Sequence, residues 1–176
     1  MGTRTAPNGA LPTPDPAWDK SAWRAWARLR RASFRAEAGY EPDADAARHL
    51  ISWAPMRSAE VVGVYLAFGT EVDLADVITE ARATGKRLVA PRCHAGPPPH
   101  LTLHELREDS ELVRHALGHL EPPADAPQVS VGAVDVLLVP GLVFDERGYR
   151  LGFGLGYYDR LIPRLRTAAG VVGVTL

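Results

Sequence analysis

The residues with most to offer chemically lie together, in Gly148-Tyr-Arg-Leu-Gly-Phe-Gly-Leu-Gly-Tyr-Tyr-Asp-Arg160. Gly152, Gly154 and Gly156 alternate with Phe153 and Leu155. Glycine tolerates positive φ and lets a ligand come close to the backbone. A helix is expected from about Tyr157, and its first N–H groups and partial positive charge favour an anion. Arg150 adds a permanent cation whose fork of donors suits phosphate oxygens. Asp159, in the first helical turn, offers a carboxylate to a Mg²⁺ ion that phosphates would share. The chemistry this pattern points to is therefore the holding of nucleotide phosphates. It is not a Walker A loop, because no Gly-Lys-Ser/Thr follows. It is not a dinucleotide fingerprint either, because no acidic residue follows Asp159 to take a ribose. A flexible surface loop before an ordinary helix is the alternative that the pattern alone leaves open.

Other charged and ligating residues are scattered more widely. Lys20, Arg24, Arg28, Arg31 and Arg35 are spaced by three or four, which puts five cations on one helix face. For Arg28, Arg31 and Arg35 the simplest reading is a solvated stripe. Cys93, His94, His100 and His104 match no standard zinc module, and the Pro-rich loop between them is a poor frame for a metal, so no zinc site is expected from them. No side chain stands out as a nucleophile.

The elements that must position these residues follow from periodicity and punctuation. A helix is expected from Asp15 or Asp19 to about Ala38, and a second over 43–54. Val61–Leu66 reads as a buried strand, 73–84 as a helix stopped by Gly85, and 87–91 as a strand closed by Pro91. That order implies a right-handed parallel crossover. Residues 94–99 form a loop, and 101–106 an antiparallel edge strand. Residues 107–130 show no period and are expected to be irregular. Val134–Val139 is the strongest strand. A helix from Tyr157 is limited by Pro163, and Val171–Thr175 is a last strand, expected beside 134–139. The fold class is α/β: one domain over 17–176, with a mostly parallel sheet flanked by helices. Residues 1–16, with four prolines, read as a disordered tail.

Composition narrows the setting. The chain has 176 residues and a formal net charge of -1, so overall charge gives no reason to expect nucleic acid or an anionic membrane as partner. Any anion site must be local. The single cysteine permits no internal disulfide, which fits a reducing compartment. No apolar run reaches the ~20 residues of a membrane helix, and the N-terminus is not a signal peptide. A cytoplasmic monomer is expected.

Asp135–Asp145 with its Pro140-Gly141, Gly148–Gly154, and Gly156-Tyr-Tyr-Asp-Arg160 together resemble the signature of the 5-formyltetrahydrofolate cyclo-ligase family. Lys20–Arg24 resembles that family's N-terminal Lys-x-x-x-Arg phosphate contact. Tyr65–Glu71 resembles its folate-contacting strand end, and Gly85–Arg92 the strand after it. The likeness spans residues 20–176. It implies an α/β fold like that of sugar-phosphate isomerases and CoA transferases, and ATP-dependent conversion of 5-formyltetrahydrofolate to 5,10-methenyltetrahydrofolate with Mg²⁺. By the same likeness Lys20, Arg24, Arg150 and residues Leu151, Gly152, Phe153, Gly154, Leu155, Gly156, Tyr157 and Tyr158 would hold ATP. Arg150 and Tyr158 would be catalytic, Leu66, Glu71 and Tyr157 would contact the folate, and Asp159 would bind the metal.

The bland rivals are that Glu71 caps the helix beginning near Asp73 and that the tyrosines are core aromatics. Family members continue past the strand matching Val171–Leu176 through a segment with a further Asp near the metal. The expectation here is a Mg²⁺ held by Asp159, phosphates and water. Two other functions stay open at this point: a nucleotide- or folate-binding protein without turnover, and a different ATP- or sugar-phosphate-dependent enzyme on the same fold.

Overall fold

The structure, a computed structural model, describes residues 11–37 and 41–176. Residues 1–10 of the expected tail and the helix end at Ala38 lie outside the described residues. Residues 11–16 carry no helix or strand, and the indole of Trp26 donates to the Pro12 carbonyl at 2.8 Å.

The helices are α1 (Lys20–Ala36), α2 (Pro42–Ser52), α3 (Ala54–Ser58), α4 (Ala75–Ala83) and α5 (Tyr157–Leu161). The strands are β1 (Val61–Gly63), β2 (Arg87–His94), β3 (His100–Glu105), β4 (Val113–Arg114), β5 (Leu120–Glu121), β6 (Gln128–Val129), β7 (Val136–Pro140), β8 (Val143–Phe144), β9 (Arg150–Leu151) and β10 (Gly170–Val174). Asp19 starts α1 as its cap, its carboxylate accepting from the Ser21 and Ala22 N–H groups.

A six-stranded sheet of order β10-β7-β1-β2-β3-β6 carries the fold. β10, β7, β1 and β2 are parallel, and β3 and β6 continue the sheet antiparallel. The last strand lies beside β7, as its apolar run requires. Side chains alternate across the sheet with a period of two. Leu88, Ala90, Val136 and Leu138 pack with Ala47, Leu50 and Met56 of α2 and α3 and with Val77 and Ala81 of α4. Val89, Leu137 and Val139 face the other way, onto Leu101, Leu103 and Leu161. Because both faces are covered, the central strands read as continuous apolar runs.

Four expectations need correction. β1 ends at Gly63 and does not run on to Leu66, because the chain leaves the ladder there to form the loop toward Glu71. β2 does not stop at Pro91 but runs to His94. Its pairing with β1 ends at Val89, so no strand of that side needs the N–H that proline lacks. β3 is not an edge, because β6 pairs outside it. The segment after β3 is not featureless: it holds the β4–β5 hairpin, whose two-residue strands are too short to show a period. Among the described residues no helix is long and apolar enough to cross a membrane.

Asp135, just before β7, ties the sheet together at its base. Its Oδ2 accepts from the Glu60 and Val61 N–H groups at 2.7 Å each, and Arg166 pairs with its other oxygen. Burial pushes the other way, but these donors hold its carboxyl below the usual aspartate range. A depressed folded pKa adds stability above the unfolded value, and that stability is lost as pH falls through the folded one. Asp135→Ala should therefore cost about 2–4 kcal/mol at neutral pH. In urea titrations the gap from wild type should close at acid pH. A variant as stable as wild type at neutral pH would refute this.

Candidate active site

The parallel strands set the place of the site. From β1 the chain crosses to β2 on one side, while β7 leads on to β10 on the other. Loops leaving the carboxyl ends of β1 and β7 therefore diverge and leave a crevice, the usual ligand position in open α/β sheets.

The β1 loop is folded back on itself by its own polar groups. The Tyr65 hydroxyl donates to the Val72 carbonyl at 2.8 Å. Glu71 closes a turn onto Phe68: its N–H donates to the Phe68 carbonyl at 3.2 Å, and its Oε2 accepts from the Phe68 N–H at 3.0 Å. Glu71 therefore does not cap α4, whose first turn is served by Asp73 through the Ala75 N–H at 3.0 Å. Burial pushes the Glu71 carboxyl above the usual carboxylate range, against the pull of the Phe68 N–H and of Arg31.

The basic stripe on α1 is only partly solvated, which corrects the sequence expectation. Arg31 is buried, at 2% exposure. It donates to the carbonyls of Thr70 at 3.2 Å and Gly141 at 3.5 Å, so it spans the loops after β1 and β7. Burial lowers its pKa, and the Glu71 charge opposes that loss. Arg35 pairs with Asp43 at 2.8 Å and donates to the Thr70 and Glu71 carbonyls. Arg28 remains exposed, with its guanidinium 5.6 Å from the centre of the Phe153 ring. Helical spacing reveals a cationic face, but it cannot say which loops will fold over that face.

The β7 loop turns through the β8–β9 hairpin into the glycine segment. Arg150 is its hub. One Nη donates to Asp159 at 2.8 Å, the other to the Pro140 carbonyl at 3.2 Å, and the guanidinium lies 5.3 Å from the Tyr158 ring centre. Its Nε is buried without a hydrogen-bond partner among the described residues. A Cβ at Gly152 would meet Arg150 Nη1, so a larger residue there would displace the guanidinium from its place in the loop. Gly156 precedes α5 at φ +68°, a left-handed conformation that favours glycine. Arg24 pins α1 to this loop by donating to the Gly152 carbonyl at 2.8 Å.

The helix itself contributes less than the sequence suggested. α5 spans only five residues before Pro163 turns the chain into a 3₁₀ turn, so it has little dipole to offer. The positive character of the loop comes from side chains instead.

A cleft of about 480 Å³ opens between these loops, a size suited to a small-molecule ligand. Lys20, Arg24 and Arg150 line it, together with Leu66, Glu71 and residues 151–159, so every candidate named from sequence borders one space. Burial raises the Tyr158 phenol, with the Glu71 charge adding to the effect, so it stays protonated at neutral pH. Asp159 is 67% exposed at its side chain, and only one of its oxygens is recorded on Arg150. A single accessible carboxylate beside three cations fits a Mg²⁺ ion that arrives with phosphates and keeps most of its water.

Part of the wall was not visible in the sequence. Phe68 follows β1, and Leu117, His119 and Leu120 come from the β4–β5 hairpin, facing Cys93 near the end of β2. An isolated His and two leucines in an aperiodic segment carry no signal of a site. Their role depends on where the hairpin lands. His94, His100 and His104 turn elsewhere: His94 stacks on His100 at 4.7 Å and shares Thr102 with His104.

A model of the 5-formyltetrahydrofolate cyclo-ligase family matches residues 17–175. The chain is 35% identical to the 5-formyltetrahydrofolate cyclo-ligase of Escherichia coli (strain K12) over 136 residues, 77% of this chain and 75% of that one. It is also 35% identical to the enzyme of that name from Mycolicibacterium smegmatis over 142 residues, covering 78% and 72%. Among solved structures, the 5,10-methenyltetrahydrofolate synthetase of Aquifex aeolicus superposes with a TM-score of 0.73 at 31% identity, over 89% of this chain and 77% of that one. A 5,10-methenyltetrahydrofolate synthetase from Mycoplasma pneumoniae shares the fold, with a TM-score of 0.68 at 22% identity over 89% and 84%.

Proposed function

Because the chain belongs to the 5-formyltetrahydrofolate cyclo-ligase family, we propose that it cyclises 5-formyltetrahydrofolate to 5,10-methenyltetrahydrofolate at the expense of ATP, releasing ADP and phosphate. The observation that carries this reading is the meeting of Lys20, Arg24, Arg150 and the glycine loop with Leu66 and Glu71 across one cleft. One side suits phosphates, and the other suits an apolar ring with a polar edge.

The chemistry asks mainly for alignment and charge neutralisation. A formyl oxygen on nitrogen is a poor leaving group. Its attack on the γ-phosphorus forms an O–P bond and expels ADP. The neighbouring amine then attacks the activated carbon, the C–O bond breaks, phosphate leaves and the amine proton is lost. The oxygen that attacks is the substrate's own, so the step requires no protein nucleophile. Lys20, Arg24 and Arg150 would neutralise the phosphate oxygens, and the backbone of 152–156 would lie along them. Mg²⁺, held by Asp159, would supply further charge to those oxygens. The Tyr158 hydroxyl, kept protonated, would be a donor beside Arg150. Leu66, Glu71 and Tyr157 would hold the folate.

The direct test follows the near-ultraviolet absorbance of methenyltetrahydrofolate in a mixture of enzyme, 5-formyltetrahydrofolate, ATP and Mg²⁺. The expected result is an absorbance rise that needs all four, matched mole for mole by ADP. Binding of both ligands without that rise would instead make the chain a non-catalytic member of the family.

A further inference from the structure

The wall of the cleft formed by β2 and the β4–β5 hairpin carries a cluster of ligating groups that the reaction does not use. Cys93 Sγ lies 3.4 Å from His119 Nε2, and that nitrogen lies 3.9 Å from Glu121 Oε2. All three ligand atoms fall within 4.8 Å of one another. Tetrahedral zinc, with bonds of ~2.3 Å to sulfur and ~2.0–2.2 Å to nitrogen and oxygen, sets its ligand atoms roughly 3.3–3.6 Å apart. The cluster is thus close to the size of a coordination sphere and needs only small side-chain shifts to become one.

We propose that Cys93, His119 and Glu121 form a three-ligand site for a borderline-soft divalent cation of the zinc class, with a fourth position open to the cleft. The set of thiol, imidazole and carboxylate is one that selects zinc-like ions over Mg²⁺, which prefers oxygen alone. It differs from the Cys93–His94–His100–His104 grouping rejected on spacing, because two of its three members come from the hairpin.

The surroundings support the geometry. Glu121 is buried, at 3% exposure, and held at both oxygens: Oε1 by Arg92 at 3.0 Å, and Oε2 by the Cys93 N–H at 2.9 Å. Such outer contacts orient metal-binding groups. The Arg92 charge offsets one of the two negative ligands, which tunes the site toward moderate rather than structural affinity. His119 is steadied by His115, stacked with ring centres 4.6 Å apart, and by Phe68, set edge-on with ring centres 6.4 Å apart. Ligation converts the Cys93 thiol to a thiolate, so thiol and M²⁺ give metal thiolate and one H⁺. Cys93 and His119 both border the cleft, so the open position faces the substrate space. A bound cation and a folate would therefore compete; this second part rests on the folate reading above.

Co²⁺ added to chelator-treated full-length protein tests the site without reference to activity. The expected result is a near-ultraviolet thiolate-to-cobalt band that saturates at one ion per chain, is displaced by Zn²⁺ and is accompanied by release of one proton. Cys93→Ser, nearly isosteric, should abolish the band. His119→Ala should weaken Zn²⁺ affinity by about 100-fold or more, above the 10–100-fold usual for outer-sphere changes. No band in the wild type, or unchanged Zn²⁺ affinity in His119→Ala, would overturn the site. 5-Formyltetrahydrofolate should raise the Zn²⁺ concentration needed for half-occupancy. If calorimetry shows the folate binding the metal-free protein but Zn²⁺ affinity does not change, competition is wrong and the site stands. If the folate does not bind the metal-free protein, the folate reading fails instead.

Discussion

Arg150→Ala is expected to weaken ATP binding roughly 10–150-fold, the equivalent of the about 1.5–3 kcal/mol that a hydrogen bond to a charged group contributes. That range applies because the Arg150 side chain is only 13% exposed and already fixed in place. Its contacts with the Pro140 carbonyl and the Tyr158 ring orient it before any ligand arrives, so little side-chain entropy is lost on binding. The present partner on the cleft side, Asp159, is exposed and can turn to a metal ion, which would free an Nη for phosphate. The buried Nε of Arg150 has no hydrogen-bond partner among the described residues, so not every donor of the fork is used within the protein. Arg150→Lys should recover only part of the loss, because an ammonium supplies charge without the fork. Arg28→Ala, which removes an exposed cation from the same region, should change ATP affinity by less than about threefold, as expected for screened surface charge. Calorimetry with Mg·ATP reads all three. Equal ATP affinity in Arg150→Ala and wild type would remove Arg150 from the phosphate site.

The parts of this fold that sequence reading reached are those where one local rule decides. Asp19 starts α1 because a cap needs only an Asp and the N–H groups two and three residues on, those of Ser21 and Ala22. β7 is recognisable because a strand covered on both faces must be apolar throughout. The glycine loop is legible because Gly152 and Gly156 answer local demands of space and φ. Distant loops decide the rest. Arg31 looks like Arg28 in a helical pattern, yet the loops ending at Thr70 and Gly141 bury one and leave the other in water. The β4–β5 hairpin escapes notice because two-residue strands have no measurable period. Its His119 and Leu120 become part of the cleft only through its landing beside β2. The wall built by the β4–β5 hairpin is accordingly harder to read than the glycine loop.

Glu71→Gln tests that folate side, and stability and activity should move in different directions. Glutamine is isosteric, and its amide oxygen can still accept from the Phe68 N–H, so the turn after β1 should persist. The charge itself is costly to the folded state, because burial raises the carboxyl's pKa despite Arg31 and the Phe68 N–H. A raised folded pKa gives a contribution that is fully present below the unfolded value and lost as pH rises through the folded one. Wild type should therefore lose stability across that window, just above the ordinary glutamate range, and the glutamine variant should not. The variant's Tm should equal wild type at low pH and match or exceed it at neutral pH. Activity should fall nonetheless. A carboxylate at the cleft wall only accepts hydrogen bonds, whereas an amide presents N–H₂ to the donors of a folate ring and leaves them unsatisfied. Such a mismatch costs about 1–3 kcal/mol, or roughly 5–150-fold in kcat/KM. The wild-type profile of kcat/KM should also show an acid limb above the usual carboxylate range, as Glu71 ionises, and that limb should be missing from the variant. If Glu71→Gln instead melts well below wild type while the folded fraction keeps full kcat/KM and the same acid limb, Glu71 only holds the turn and the folate contact lies elsewhere on the wall.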